Sequence, residues 1–159
     1  MTNFDFLKSD PQFATFSDVA ISAEKILNID AAASVLNCRR AMEFAVKWMY
    51  SVDKDLEMPY DSTLVALMST EEFRDVVGND LIFRMTYIRK RGNEAAHSGN
   101  KISLEQAKLC IENLYIFMHF VACSYSEKYN DIITPLTKHF LKIRAKMLAL
   151  SKMSLILRN

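Results

Sequence analysis

The part of the chain richest in reactive side chains runs from Arg89 to His97, with the sequence RKRGNEAAH. In a continuous helix, which turns by about 100° per residue, Arg89, Asn93 and His97 follow one another along one face. Histidine exchanges protons near neutral pH, and arginine binds phosphate oxygens with a planar fork of N–H groups. The pattern indicates a site that could hold a phosphate group, with His97 as a candidate acid or base.

Two interpretations of this segment stay open. In the first, His97 transfers protons while an arginine and Asn93 hold a phosphate. In the second, Asn93 and His97 hydrogen-bond to a neighbouring helix, and the cations are solvated or salt-bridged. Gly92 destabilises a helix by about 1 kcal/mol relative to alanine. Its presence indicates a close approach of another helix or a local change of helix direction.

A second polar group is formed by Arg39, Arg40 and Glu43. Glu43 lies four residues after Arg39 and three after Arg40, so the spacing predicts an ion pair along a helix. In the alternative, Arg40 or Glu43 turns inward and orients the polar face around Asn93.

The composition predicts that helices position these residues. Three glycines and three prolines in 159 residues are too few for the many tight turns of a sheet-rich fold. Apolar spacing and capping residues predict long helices that begin at Ser17, after Asp30, at Asp80, after Ser103 and at Thr134, and two short helices at 62–68 and 70–77. Ser17 and Asp30 are predicted N-caps, Ser103 and Gln106 form a predicted capping box, and Gly78 is a predicted C-cap. The segment 3–16 is expected to form a helical turn or two whose phenylalanines plug the bundle. We therefore predict an all-α bundle with long core helices and two short ones.

Charge divides the chain into two parts. Residues 1–131 hold all 19 acidic and 14 of the 20 basic residues, whereas residues 132–159 hold six basic residues and no acidic one. We predict a helical domain over 1–130 and a basic C-terminal helix or tail over 131–159. In that tail Lys142, Arg144 and Lys146 are candidates for phosphate contacts; the alternative is the solvated face of a terminal amphipathic helix.

Several classes of site are missing from the sequence. It has no phosphate-binding Gly-rich loop, no dinucleotide fingerprint and no zinc-protease or serine-hydrolase motif. Its three histidines are far apart, and Cys38, Cys110 and Cys123 form no Cys-x-x-Cys pair and are predicted to be buried free thiols. We expect no metal and no cofactor. Without a signal peptide or a membrane-length apolar run, we expect a cytoplasmic protein with no membrane partner.

Two stretches carry a family resemblance. RRAMEFAVKWMY at 39–50, followed by IRKRGNEAAH at 88–97, resembles the helical domain near the N-terminus of many bacterial type I restriction enzyme R subunits. That domain is placed in the HEPN superfamily, and the resemblance covers residues 4–125. It implies a helical bundle that commonly forms homodimers.

The resemblance implies two alternative functions. Active HEPN proteins are metal-independent ribonucleases with an arginine a short distance before a histidine, a pattern that Arg91 and His97, with five residues between them, match. The motor and nuclease motifs of a complete R subunit are absent from this chain. The first hypothesis is therefore a non-catalytic accessory domain of a type I restriction or related defence system, binding RNA, DNA or restriction-system subunits. The alternative is a HEPN ribonuclease.

Overall fold

The computed structural model describes residues 1–97 and 101–129. These residues form two short 3-10 turns, Asp5–Ser9 and Pro11–Phe13, and six α-helices: α1 (Ala14–Ile26), α2 (Ala31–Val52), α3 (Leu64–Ser69), α4 (Glu71–Val77), α5 (Asn79–Ala96) and α6 (Leu104–Tyr125). No strand occurs in this part of the chain. The predicted all-α helical bundle with two short helices is confirmed.

The four long helices pack around one core within the compact unit Met1–Tyr129. Helix α2 contacts α1 on one side and α5 and α6 on the other, and α5 also packs against α6. The N-terminal turns close the bundle as predicted, because Phe4, Phe13 and Phe16 are fully buried or nearly so. The C-terminal half of α5 is therefore bordered by two helices, α2 and α6.

Local capping sets most helix boundaries. The Asp30 side chain accepts a hydrogen bond from the Ala33 amide at the start of α2. Ser103 and Gln106 form the predicted capping box at the start of α6. Gly78 ends α4 with a positive φ of 82°, a conformation that favours glycine. These predictions from the sequence are confirmed.

Two predictions are wrong. Ser17 is not an N-cap: α1 begins at Ala14, directly after the turn Pro11–Phe13, and Ser17 is buried inside the helix. Cys38 and Cys110 are buried free thiols as predicted, but Cys123 is exposed. It lies in the last turn of α6, where the helix presents a face to solvent.

The basic C-terminal segment lies outside the described residues, and so do its candidate phosphate contacts Lys142, Arg144 and Lys146. Its role stays a prediction. Among the residues that the model describes, no helix combines the length and the apolar character needed to cross a membrane.

Candidate functional site

Helix α2 meets α5 at Gly92. A Cβ atom built on Gly92 would lie 2.5 Å from the Arg39 Cδ and 2.8 Å from the Arg39 Cβ. Gly92 is buried, so the aliphatic stem of Arg39 lies directly on the α5 backbone. This is the close approach that a glycine within a helix indicates.

Arg91 lies on another side of α5, towards α6. Its Nη1 donates a hydrogen bond of 2.7 Å to Glu94 Oε2, and its guanidinium lies 5.3 Å from the centre of the Tyr87 ring. Its Nε is buried and has no hydrogen-bond partner. The side chain is only 26% exposed, so Arg91 is largely occupied by contacts within the bundle.

Two titratable side chains near Arg91, those of Cys110 and Tyr87, are neutral near pH 7. Burial raises the pKa of the Cys110 thiol on α6 to about 12; Arg91 opposes this rise and Glu94 adds to it. Burial also raises the pKa of Tyr87. Because Cys110 and Tyr87 carry no negative charge near pH 7, Glu94 is the group that neutralises Arg91.

Arg89, Asn93 and His97 lie away from Arg91. Arg89 and Asn93 are one turn apart within α5, as predicted, and both are half-buried. The helix ends at Ala96, and His97 is its exposed C-cap residue, with an extended backbone and its amide bonded to the Glu94 carbonyl. An unbroken helix would place Arg91 and His97 about 120° apart, but His97 lies beyond the last residue of α5. Within the described residues, Arg91 contacts Glu94 and Tyr87, and no hydrogen bond or ion pair joins it to His97.

The predicted pairing of Glu43 with Arg39 or Arg40 is wrong. Glu43 instead forms an ion pair with Lys47, at 3.0 Å. A glutamate four residues before a lysine is the more favourable orientation of such a pair in a helix. Arg40 is exposed, with its guanidinium 5.7 Å from the centre of the Phe44 ring. Neither Arg40 nor Glu43 therefore turns inward towards Asn93.

We give the name α2–α5 basic face to four residues around the contact of Arg39 with Gly92: Arg39 itself, Arg40 next to it in α2, and Arg89 and Asn93, which precede and follow Gly92 in α5. None of its three arginines forms an ion pair with a carboxylate within the described residues. The sequence marked Arg40, Arg89 and Asn93 but treated Arg39 only as a partner for Glu43. Gly92 was the feature of the sequence that could have pointed to Arg39. Which residue of α2 lies against Gly92 depends, however, on how α2 and α5 cross.

An open groove of about 240 Å³ runs between α5 and α6 on the Arg91 side. It is lined by Asp80, Phe83, Arg84, Tyr87, Leu109 and Asn113. Arg84 is held within it by Asp80 and by the Asn113 side-chain oxygen, each at 3.0 Å. Phe83 is 79% exposed, so the groove is an apolar surface bordered by charges.

In the part of the chain that the model describes, no group of three histidine, cysteine or carboxylate side chains could hold a metal ion. His119 and Cys123 on α6 come within 3.5 Å of each other, and the His119 ring packs against Phe6, Tyr115 and Tyr129. The His119 ring is thus packed among aromatic side chains.

The comparisons with known proteins give one family. A family model described as a domain of unknown function, DUF4145, matches residues 22–145. No curated protein and no solved structure matches the chain. The matched range includes both α2 and α5, the helices that carry the basic face.

Proposed function

The chain belongs to the DUF4145 family, and we propose that it is a non-catalytic accessory domain that binds nucleic acid through the α2–α5 basic face. The sequence resemblance to the helical domain of type I restriction enzyme R subunits supports a place in a restriction or related defence system. The interaction, the lack of catalysis, homodimerisation and the cellular setting are tested separately.

The observation that carries the interaction is the absence of counter-ions on this face. Arg39, Arg40 and Arg89 have no carboxylate partner within the described residues. Surface arginines of a folded domain often pair with acidic neighbours, and here the nearby acids pair elsewhere: Glu43 with Lys47, and Glu94 with Arg91. Unpaired arginines favour a phosphate backbone as the partner, because each can neutralise a phosphate and release counter-ions.

The ribonuclease alternative is less well supported. It requires Arg91 to steady a phosphate near His97. Arg91 is instead engaged by Glu94 and Tyr87 on the α6 side of α5, whereas His97 is exposed beyond the end of the helix. A nuclease would need Arg91 to leave these contacts, or a second chain to supply the missing residue.

Homodimerisation is the further part of the proposal. The groove between α5 and α6 exposes Phe83 and Leu109, two large apolar side chains that a soluble surface seldom needs side by side. Asp80 and Arg84 of the same groove neutralise each other within the chain, so these two charges do not oppose the pairing of this surface with its own copy. Light scattering of the full chain would test this, and a monomer at all concentrations would contradict it.

The binding part is tested with the full chain and fluorescein-labelled single-stranded RNA and DNA at several salt concentrations. Arg40→Ala and Arg89→Ala are each expected to weaken binding and to lower the salt dependence by about one ion per substitution. Lys25→Ala, which removes an exposed cation from α1, is the matched control and should leave binding unchanged. Equal binding by all four proteins would contradict a role for this face.

The non-catalytic part is tested by incubating the full chain with single-stranded RNA in EDTA. We expect no cleavage at any protein concentration. Cleavage that disappears in both His97→Ala and Arg91→Ala would instead establish the ribonuclease. The cellular setting is tested by the neighbouring genes, since a restriction role requires a motor-nuclease reading frame beside or continuous with this one.

A further inference from the structure

Gly92 occupies a position where its backbone freedom is not needed. It lies inside α5, and among the glycines of the described residues the positive φ belongs to Gly78. Within a helix, glycine is less stable than alanine by about 1 kcal/mol. Gly92 instead leaves space for Arg39. A methyl group at position 92 would overlap the Arg39 side chain, and the overlapped atoms include the Arg39 Cβ, whose position is fixed by the α2 backbone. The aliphatic part of the Arg39 side chain therefore packs directly against the backbone at Gly92.

Arg39 has an unsatisfied polar atom at the end of this stem. Its Nε is buried and has no hydrogen-bond partner, and no ion pair of the described residues includes its guanidinium. A buried donor without an acceptor is unfavourable, and most buried polar groups in folded proteins are paired. The Nε of Arg91 is buried and unpartnered in the same way, but the Arg91 guanidinium is neutralised by Glu94. The described part of the bundle offers the Arg39 guanidinium no carboxylate, and its two terminal nitrogens, which are not among the buried unpaired atoms, are the part that an oxyanion at the surface would reach.

The surroundings of Arg39 specify the kind of oxyanion. Arg39 lies beside Gly92, and Arg89 and Asn93 are the neighbours of Gly92 on α5. Arg40 follows Arg39 on α2. Two further cations and an amide favour a phosphate over a carboxylate, because a phosphate accepts from several donors and because guanidinium binds two of its oxygens at once.

We infer that Arg39 is a phosphate-binding residue of the α2–α5 basic face and that Gly92 is the residue that positions it. The inference rests on the proposed function for its ligand, the phosphodiester group of a nucleic acid. It adds a residue that the sequence pattern did not mark and assigns a role to the glycine inside α5.

The phosphate site is tested by NMR on the full chain labelled with ¹⁵N, with inorganic pyrophosphate as the probe. The Arg39 Nε–H signal, assigned by its loss in Arg39→Lys, should shift on titration. Removing one charge-assisted hydrogen-bonded contact should raise the dissociation constant roughly tenfold in Arg39→Gln. Arg39→Lys keeps the positive charge and the aliphatic chain but lacks the planar set of guanidinium N–H groups. It should therefore bind pyrophosphate nearly as weakly as Arg39→Gln does. Lys25→Gln should bind as the wild type does.

The positioning role is tested with Gly92→Ala, whose folding is checked by circular dichroism and thermal unfolding. A folded Gly92→Ala should lose affinity about as much as Arg39→Gln, and the double variant should lose no more than either alone. Wild-type affinity in folded Gly92→Ala would overturn the role of Gly92. If Gly92→Ala does not fold, the role is read from the wild type: nuclear Overhauser contacts between the Gly92 Hα protons and the Arg39 side chain that persist when pyrophosphate binds support it, and their absence overturns it.

The outcomes separate this inference from the proposed function. An Arg39 signal that pyrophosphate does not shift overturns the phosphate site, even if the protein binds RNA or DNA through other residues. An Arg39 signal that shifts in a protein without affinity for RNA or DNA leaves the phosphate site in place and overturns the nucleic-acid function.

Discussion

Arg91 and Glu94 form an ion pair on the α6 side of α5, with 2.7 Å between the Arg91 Nη1 and the Glu94 Oε2. Arg89, two residues earlier, lies on another side of the same helix and has no carboxylate partner within the described residues. The two arginines therefore differ in role. Arg91 contributes to the packing of α5 against α6, and Arg89 belongs to the face that we propose binds nucleic acid.

Because of this difference, alanine substitution of Arg91 should mainly lower stability, whereas alanine substitution of Arg89 should mainly weaken nucleic-acid binding. Arg91→Ala should lower the free energy of unfolding by about 1 kcal/mol, because it removes a half-buried ion pair and leaves Tyr87 uncovered. Arg89→Ala should change stability by no more than about 0.5 kcal/mol but should weaken nucleic-acid binding. Urea unfolding and fluorescence anisotropy measure the two quantities. Weaker binding by Arg91→Ala than by Arg89→Ala would reverse the assignment.

The fold was largely predictable because its signals are local. An N-cap acts on amides two or three residues away, so Asp30 and the pair of Ser103 and Gln106 could be identified from sequence alone. The wrong start of α1 has a local cause too. Ser17 is a good capping residue by type, but the turn that ends at Phe13 already leads the chain into the helix.

The site was less predictable because its contacts depend on how helices cross. Nothing in the sequence places Arg39 opposite Gly92, since the two are 53 residues apart and meet only where α2 packs on α5. Glu43 had three basic neighbours within four residues, and helix spacing alone did not select Lys47. The sequence marked the residue types of the site but not their partners.

Thiol reactivity should divide the three cysteines. Cys123 is exposed, whereas Cys38 and Cys110 are buried, and burial raises the pKa of both buried thiols. Because the thiolate is the reactive form, the native chain should release one equivalent of thionitrobenzoate rapidly from Ellman's reagent and two more only in denaturant. Cys123→Ser should abolish the rapid phase. A rapid phase that persists in this variant would show that a core thiol is accessible.

Trp48, the single tryptophan of the chain, should report on the packing of the N-terminal turn Pro11–Phe13. Its ring packs edge-on against Phe13 and Phe16 and against Tyr125 of α6. Phe13→Ala should lower the free energy of unfolding by about 3–5 kcal/mol, since it leaves a cavity in the core. Trp48 emission should shift to the red. The exposed Tyr60→Ala is the matched control, and equal losses for the two variants would contradict the placement of the turn in the core.

Asp10 joins the N-terminal turn to the end of α6. Its buried carboxylate accepts hydrogen bonds from the Ser126 hydroxyl, at 2.7 Å, and from the Gln12 amide, at 3.1 Å. The bond from Ser126 is the main cause that holds the pKa of Asp10 below its ordinary value of 3.8, against the opposing effect of burial. The folded chain therefore gives up this proton more readily than the unfolded chain does.

Stability should for this reason rise with pH in the range just below pH 4. There the unfolded chain binds more protons than the folded one, and the contribution of Asp10 is complete above the unfolded pKa and lost as the pH falls through the folded pKa. Asp10→Asn should lack this part of the dependence, and Ser126→Ala should reduce it because the donor is gone. Urea unfolding between pH 3 and about pH 6, followed by Trp48 fluorescence, measures the effect, with exposed Asp18→Asn as the control. Curves for Asp10→Asn and the wild type that run parallel over this range would show that Asp10 titrates alike in both states.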